Sequence, residues 1–371
     1  MNIKRHVIHT ILGCLISITL YAQKPFEDLR FKDALVTSKE NDANYPCITD
    51  QQYKEIERRC NENAKAIFGN NPIEDHTPLT LLKWPLRAAK GLTDCSYYFI
   101  SAHVDHDKAT TTFKDYNCGS NTYDGHRGTD IATAPFPFYK MDNNQVEVIA
   151  AASGTIIDKH DGEFDKNCPT VSGNPTANYI VLQHSDGSRT LYLHVKKNSL
   201  TAKAIGQSVA AEEFLAIVGS SGNSSGPHLH FEVWSGSTVS TLVDPFSGAC
   251  NILNTSSWWL NQKPYLESSL IKASTHTTDI VFPTCPATET LNESTSFAIP
   301  FQGTGLPAGF AKFYIFLRHE IIGMTADMQI LNPNGTLFQS WTYTSTTNAK
   351  LNARAYSKKL PTIPGKYLFQ A

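Results

Sequence analysis

Residues 228–234 read His228-Leu229-His230-Phe231-Glu232-Val233-Trp234, and their alternation decides how this chain is built. Successive side chains of a β-strand point to opposite faces, so Leu229, Phe231 and Val233 share one face while His228, His230, Glu232 and Trp234 share the other. The apolar set reads as core. The other set then faces a cleft and holds two imidazoles on one rigid element. The residues just before, Gly219-Ser220-Ser221-Gly222-Asn223-Ser224-Ser225-Gly226-Pro227, read as a flexible loop beside that cleft.

Similar short strands recur outward, at 147–157, 178–183, 190–195 and 214–218, with Asp186-Gly187 as a hairpin turn. In 190–195 the alternation puts Leu191, Leu193 and Val195 inward and Tyr192 with His194 outward, so three histidines fall on accessible strand faces. Upstream, Thr49 and Gln52 form a capping box, and Ile56, Cys60, Ala64, Ile67 and Phe68 recur at helical spacing until Gly69. Beyond a Ser/Thr-rich stretch at 268–278, residues 280–371 are again strand-like, with 326–332 and 337–343 flanking Asn332-Pro333-Asn334-Gly335. The expected fold is mainly β. It has an N-terminal helical and irregular region over 23–91, a β-rich domain over 92–265 and a C-terminal β-sandwich-like domain over 280–371.

The chain has 371 residues, 41 % hydrophobic and 18 % charged, with a formal net charge of −2. That length supports two or three cores and excludes collagen, coiled coil and wholesale disorder. The charge gives no electrostatic footprint of a nucleic-acid binder. Lys4 and Arg5, an apolar run over 7–20 and Ala22 before Gln23 resemble a secretory signal occupying 1–22, whose loss makes the charge −4. The run is short for a bilayer span, and no later segment is long and apolar enough for one. Export makes disulfides the first reading of Cys47, Cys60, Cys95, Cys118, Cys168, Cys250 and Cys285, none of which forms a C-x-x-C pair. Nearest-neighbour pairing joins Cys47 to Cys60, Cys95 to Cys118 and Cys168 to Cys250, and leaves Cys285 odd. The run 365–371 ends strand-like without a closing turn, which is either an edge strand or a chain continuing to a partner for Cys285.

A second cluster is His126-Arg127-Gly128-Thr129-Asp130. A catalytic zinc site uses three protein ligands at about 2.0–2.3 Å plus a water. Four fully extended residues span roughly 13 Å, so His126 and Asp130 share an ion only if the chain bends, and Gly128 supplies that freedom. On its own, H-x-x-x-D is a chance spacing in a surface loop. It stands with others: Gly125 to Ile131, then Tyr192-Leu193-His194, then Gly219 to Val233 resemble, in order, the motifs of the lysostaphin-type, LytM-like zinc metallopeptidases, which cut peptide cross-links in bacterial cell walls. The resemblance covers about residues 92–265.

It implies that His126, Asp130 and His230 hold Zn2+ and that His194 and His228 flank the attacking water and the oxyanion. Two neutral imidazoles and one carboxylate leave net positive charge on the ion, which acidifies that water and polarises the scissile carbonyl. A neutral histidine can take the water's proton, and a protonated one can stabilise the oxyanion or protonate the leaving amine; which does which stays open. The implied protein is an exported zinc metalloendopeptidase of the periplasm, envelope or exterior, acting on bacterial peptidoglycan. The rival from another class is a metal-free LytM-like module that binds or activates another wall hydrolase. Such members lose ligand residues, and this chain keeps all of them.

Several features receive plainer readings. Gly222 to Gly226 fits G-x-S-x-G, but that motif needs a following helix, so Ser224 is not read as a nucleophile. His319-Glu320 begins a zincin pattern, yet Gly323 stands where the second histidine belongs, so it reads as a surface pair on a strand. His103 reads as solvated polar chain, His160 as lying in an acidic loop and His184 as flanking a turn, while Trp258 and Trp259 read as packing anchors. Segments 132–146 and 158–177 are expected to select the cross-link, and 23–90 to shield the cleft with its capped helix docked. The tail is expected to adhere to wall or partner and to be dispensable for cleaving small peptides.

Overall fold

The computed structural model describes residues 9–13, 47–69, 80–109, 111–298 and 301–371. Its central sheet contains β3 (Tyr98–Ala102), β4 (Thr129–Thr133), β6 (Gly154–His160), β7 (Tyr179–Gln183), β8 (Arg189–Leu193), β9 (Ser208–Val209), β11 (His228–Trp234) and β12 (Leu242–Val243). The order is β3-β4-β11-β8-β7-β6-β9, with β12 also on β11, and every pairing is antiparallel. A smaller sheet, ordered β10-β5-β2 from β2 (Leu86–Ala88), β5 (Val146–Ile149) and β10 (Phe214–Ile217), closes over one face. Between them lie Ile131, Ile180, Tyr192, Leu229, Phe231 and Val233 with Leu86, Val148 and Leu215. Each such side chain contributes about 1.5–3 kcal/mol when fully buried. Leu82 and Leu86, expected within the N-terminal region, belong to this core.

The other face is covered by α1 (Asp50–Phe68), which opens on the capping box of Thr49 and Gln52. Its Tyr53, Ile56 and Cys60 pack on Ile157, Tyr179, Val181, Leu191, Leu193 and Trp234. Polar anchors fix its position: Arg59 pairs with Asp158 at 2.7 Å, and the Asn63 and Gln52 side chains donate to the carbonyls of Ile157 and Pro175 at 2.7 and 2.8 Å.

This cover corrects the expected facing of β8. Tyr192 lies opposite Phe231 and Leu193 opposite His230, and directly paired residues share a face. Tyr192 is therefore in the main core, while Leu191 and Leu193 lie beneath α1 on the histidine face. A sheet buried on both sides gives two apolar sets, and alternation alone does not say which is inner. His194 follows β8 with φ 65, a left-handed backbone that swings its ring out of the strand's alternation and back to the site. The three histidines are also buried rather than accessible.

In the tail, β13 (Ser269–His276), β14 (Phe310–Glu320) and β17 (Ala349–Lys359) form one sheet, ordered β13-β14-β17. The other is ordered β1-β18-β15-β16, from β1 (His9–Gly13), β15 (Thr325–Leu331), β16 (Leu337–Thr344) and β18 (Gly365–Gln370). Phe313, Ile315, Leu317, Met328, Ile330, Tyr367 and Phe369 fill the space between them, as in a sandwich. The opposite face of β14 is buried too: Tyr314 and Phe316, with Ala353 and Ala355, pack on Phe99, Ala132, Ala134 and Phe136. Phe136 caps α2 (Pro137–Asp142). Asp94 bridges the same seam, 2.5 Å from Lys140 and 2.6 Å from Lys272.

His319 and Glu320 are on a strand, but they are buried rather than a surface pair. Arg354 Nη2 lies 2.9 Å from Glu320 Oε1, and Asn352 and Tyr343 also donate to that carboxylate. The expected leader lies mostly outside the described residues, and its His9–Gly13 run is β1, antiparallel to β18. Among the described residues, no helix is long and apolar enough to cross a membrane.

Among the described residues the disulfides are Cys118–Cys250 and Cys168–Cys285, which overturns all three expected pairs and the odd Cys285. Cys47, Cys60 and Cys95 form no disulfide among the described residues. Cys47 and Cys60 fail physically: Cys60 lies three turns into α1, about 15 Å along its axis, and a disulfide needs Cα atoms within about 7 Å. For the others, the fold brings together cysteines far apart in sequence, which nearest-neighbour spacing does not register.

Candidate metal centre

Cross-strand register builds the centre. His230 on β11 is paired with Asp130 on β4, and His230 Nδ1 lies 2.8 Å from Asp130 Oδ1. His126 arrives from the preceding turn, in which its N–H donates to the Tyr123 carbonyl and Gly125 takes φ 73. Its Nε2 lies 3.1 Å from Asp130 Oδ2 and 3.2 Å from His230 Nδ1. The left-handed residue is thus Gly125, not Gly128 as expected. Gly128 serves close approach instead, since a Cβ there would meet the His230 ring at 2.6 Å.

The outer nitrogen of each ring is held by an acceptor. Nδ1–H groups of His126, His194 and His228 donate to the carbonyls of His103, Ser221 and Gly226 at 2.7, 2.6 and 2.8 Å. His230 is reversed, with Nε2 2.8 Å from Glu232 Oε1. A carbonyl only accepts, so the proton sits on the outer nitrogen and the inner lone pair points into the centre. Two neutral lone pairs facing each other at 3.2 Å, those of His126 and His230, repel unless a cation or proton lies between them. The ligand atoms of His126, Asp130 and His230 all lie within 4.8 Å of one another, and all three residues are buried. Two nitrogens and a carboxylate oxygen on such a triangle, with outer partners fixing each ring, suit a divalent metal.

Protons compete for the same atoms. Burial pushes the Asp130 carboxyl up, but His126, His228 and His230 outweigh it and hold the group well below the usual range. Burial pushes His230 down, but Cys47 and Asp130 raise it well above the ordinary imidazole value.

His194 and His228 stand beside this triangle with ring centroids 4.6 Å apart, and His228 Nε2 is 3.7 Å from Asp130 Oδ1. Ser224 Oγ lies 3.2 Å from His228 Nδ1, but that nitrogen's hydrogen is directed to the Gly226 carbonyl, and β11 rather than a helix follows the loop. The geometry agrees with the plain reading of Ser224.

Three participants escaped the sequence. Cys47, expected in a disulfide, places its Sγ 2.6 Å from His194 Nε2 and 3.5 Å from His230 Nδ1. Burial pushes its thiol up, and His194 and His230 pull it down further, to well below the ordinary thiol value. Glu232 was visible on the histidine face but without a role; it also accepts from Trp234 Nε1 at 3.0 Å and from the Tyr53 hydroxyl. Tyr53 belongs to α1 and lies under the Arg127 guanidinium, 4.5 Å from its ring centre. The capped helix packs on the sheet, and Cys47 just before it reaches the histidines.

The adjoining cleft is lined by Tyr123, Pro169, Ser172, Asn223, Ser225 and His228. Cys168, Pro169 and Ser172 of segment 158–177 line it, and α2, within 132–146, packs its Phe138 and Met141 against Cys168. His103, expected in solvent, is fully buried, with Tyr116 and Phe246 edge-on to its ring. Trp258 and Trp259 are buried anchors of the main core.

Residues 124–245, which contain all five clustered histidine and aspartate side chains, match Peptidase family M23. The match covers about a third of the chain and agrees with the resemblance seen in its motifs. Among curated proteins, a peptidoglycan DD-endopeptidase (ShyB) of Vibrio cholerae is 36 % identical over 110 residues, 29 % of this chain and 20 % of that protein. An uncharacterised metalloprotease of Haemophilus influenzae is 34 % identical over 84 residues, 22 % of this chain and 17 % of its own. The chain thus spans a fifth or less of the length of these relatives. Among solved structures, the catalytic domain of the antimicrobial peptidase lysostaphin from Staphylococcus simulans aligns at 28 % identity over 36 % of this chain and 84 % of its own, with a TM-score of 0.25.

Proposed function

We propose that this protein is an exported zinc metalloendopeptidase that hydrolyses peptide cross-links of bacterial peptidoglycan, with His126, Asp130 and His230 holding the zinc. The observation that carries the proposal is the buried triangle of His126 Nε2, Asp130 and His230 Nδ1, each ring locked from behind by an acceptor. A zinc ion, when bound, supplies Lewis acidity that lowers the pKa of water and polarises a carbonyl. The rest falls to the chain. Glu232 and the His103 carbonyl orient the two ligand rings, and the Ser221 and Gly226 carbonyls aim Nε2 of His194 and His228 inward. One of these two imidazoles accepts a proton at Nε2, and the other, protonated, donates to the oxyanion or the departing amine. The name of one curated relative, the Vibrio cholerae DD-endopeptidase, supports peptidoglycan as substrate, and two disulfides support an oxidising compartment.

The test is digestion of purified sacculi by the full chain and by Cys47→Ser, which removes the sulfur from the covered centre, with mass spectrometry of the soluble products. New peptide amino and carboxyl termini are expected, abolished by a chelator and restored by zinc. Intact cross-links with both proteins would sink the enzyme reading and favour a non-catalytic wall-binding module.

A further inference from the structure

We propose that Cys47 is a displaceable fourth ligand of this metal centre, its thiolate closing the coordination position that substrate hydrolysis needs open. The proposal rests on the reading of His126, Asp130 and His230 as the metal triad. Two ligand groups meet here, Cys47 with His194 and His230, and His126 with Asp130 and His230, each with its ligand atoms within 4.8 Å of one another. They share His230 through the same atom, Nδ1, which lies 3.5 Å from Cys47 Sγ, 3.2 Å from His126 Nε2 and 2.8 Å from Asp130 Oδ1. The sulfur thus sits on the open side of the triad, between it and His194, whose Nε2 is 2.6 Å away.

Coordination chemistry distinguishes the two states. A zinc with three protein ligands keeps a site for water, whereas four ligands of the cysteine, histidine and carboxylate type make a closed, structural centre. With Cys47 engaged, both the metal's fourth position and the inward face of His194 are occupied by sulfur.

The device is built to hold and to release. Cys47 lies two residues before the Thr49 cap, so the docking of α1 fixes where its sulfur falls. Buried Ile48 and Tyr53 seat the segment, Tyr53 donates to the same Glu232 that supports His230, and Asp50 lies 3.4 Å from Arg127 beside the site. Every one of these contacts comes from the stretch 47–69, outside the family-matched 124–245. A docked segment is separable from the catalytic scaffold in a way that a strand residue is not. Undocking α1 withdraws the sulfur, the Tyr53 hydroxyl and the cover over the cleft together. Cleavage or displacement of this segment then opens the centre without changing the triad.

Cobalt substitution of the full chain reads the ligand directly, because a thiolate on Co(II) gives a near-ultraviolet charge-transfer band that imidazole and carboxylate do not. The expected result is one cobalt per chain with that band in the parent, and one cobalt without it in Cys47→Ser. In parallel, iodoacetamide should label Cys47, followed by peptide mass spectrometry, at least tenfold more slowly in zinc-loaded chain than in chelator-stripped chain. Stoichiometric cobalt in the parent without the band, or a band that survives in Cys47→Ser, overturns this inference and leaves the triad reading intact. Failure of both chains, shown folded by circular dichroism, to bind cobalt overturns the triad reading and this inference with it.

Discussion

Glu232→Gln isolates the support of His230 from the metal centre itself. Glu232 is fully buried, and its two oxygens receive three donors: His230 Nε2 at 2.8 Å, Trp234 Nε1 at 3.0 Å and the Tyr53 hydroxyl. Glutamine keeps the shape, but one acceptor becomes an NH2 that faces a donor, and the negative charge behind the imidazole is lost. A hydrogen bond to a charged group contributes about 1.5–3 kcal/mol, and about 1.4 kcal/mol is a factor of ten, so zinc affinity should fall about 10- to 100-fold. That matches the usual effect of removing a histidine ligand's outer partner. Competition with a chromophoric chelator at fixed pH measures the affinity, and circular dichroism checks the fold. A folded variant whose affinity stays within about twofold of the parent would refute His230 as a ligand supported in this way.

Other consequences are as direct. His126→Ala and His230→Ala should lose zinc and activity, whereas His194→Ala and His228→Ala should keep zinc by metal analysis and lose turnover; a folded His228→Ala without zinc would redraw the triad. Glu320→Ala leaves the buried Arg354 guanidinium without its carboxylate, and breaking such a pair should cost about 3–5 kcal/mol in urea unfolding of the tail. Burial, with Lys272 and Arg318 respectively, pushes His276 and His319 down to about 4. An unfolded histidine titrates near about 6.5, so the unfolded chain binds more protons and stability falls as pH drops from about 6.5 towards 4, by about 3 kcal/mol per group. Denaturation midpoints across that range check this, and a flat profile contradicts it. Removing residues 269–371 exposes Phe99, Ala132 and Phe136 close to Asp130, so it should leave an unstable peptidase rather than the intact one expected from sequence.

What could be read in the sequence was what local pattern encodes. Alternation in 228–234 gave the strand and its polar face, the Thr49 and Gln52 box gave α1, and three motif blocks gave five side chains that the fold brings to one place. Contacts across long stretches of sequence were not legible. Nothing near Cys47 marks it as facing a histidine 147 residues away, and spacing misassigned both disulfides, which close separations of 132 and 117 residues. The facing of β8 failed because both sides of the sheet are covered, and the left-handed turn at His194 has no signature in a residue that seldom adopts it. The tail looked like an appendage because its own sandwich pattern is complete. Its β14 alternates between two apolar sets, one of which serves the peptidase.

Anomalous diffraction at the zinc edge from crystals of the full chain shows whether three side chains, on β4, β11 and the turn before β4, hold one zinc ion. A single peak is expected about 2.0–2.2 Å from His126 Nε2, an Asp130 oxygen and His230 Nδ1. A zinc peak out of reach of His126 and Asp130, or no peak in zinc-supplied crystals, would contradict it.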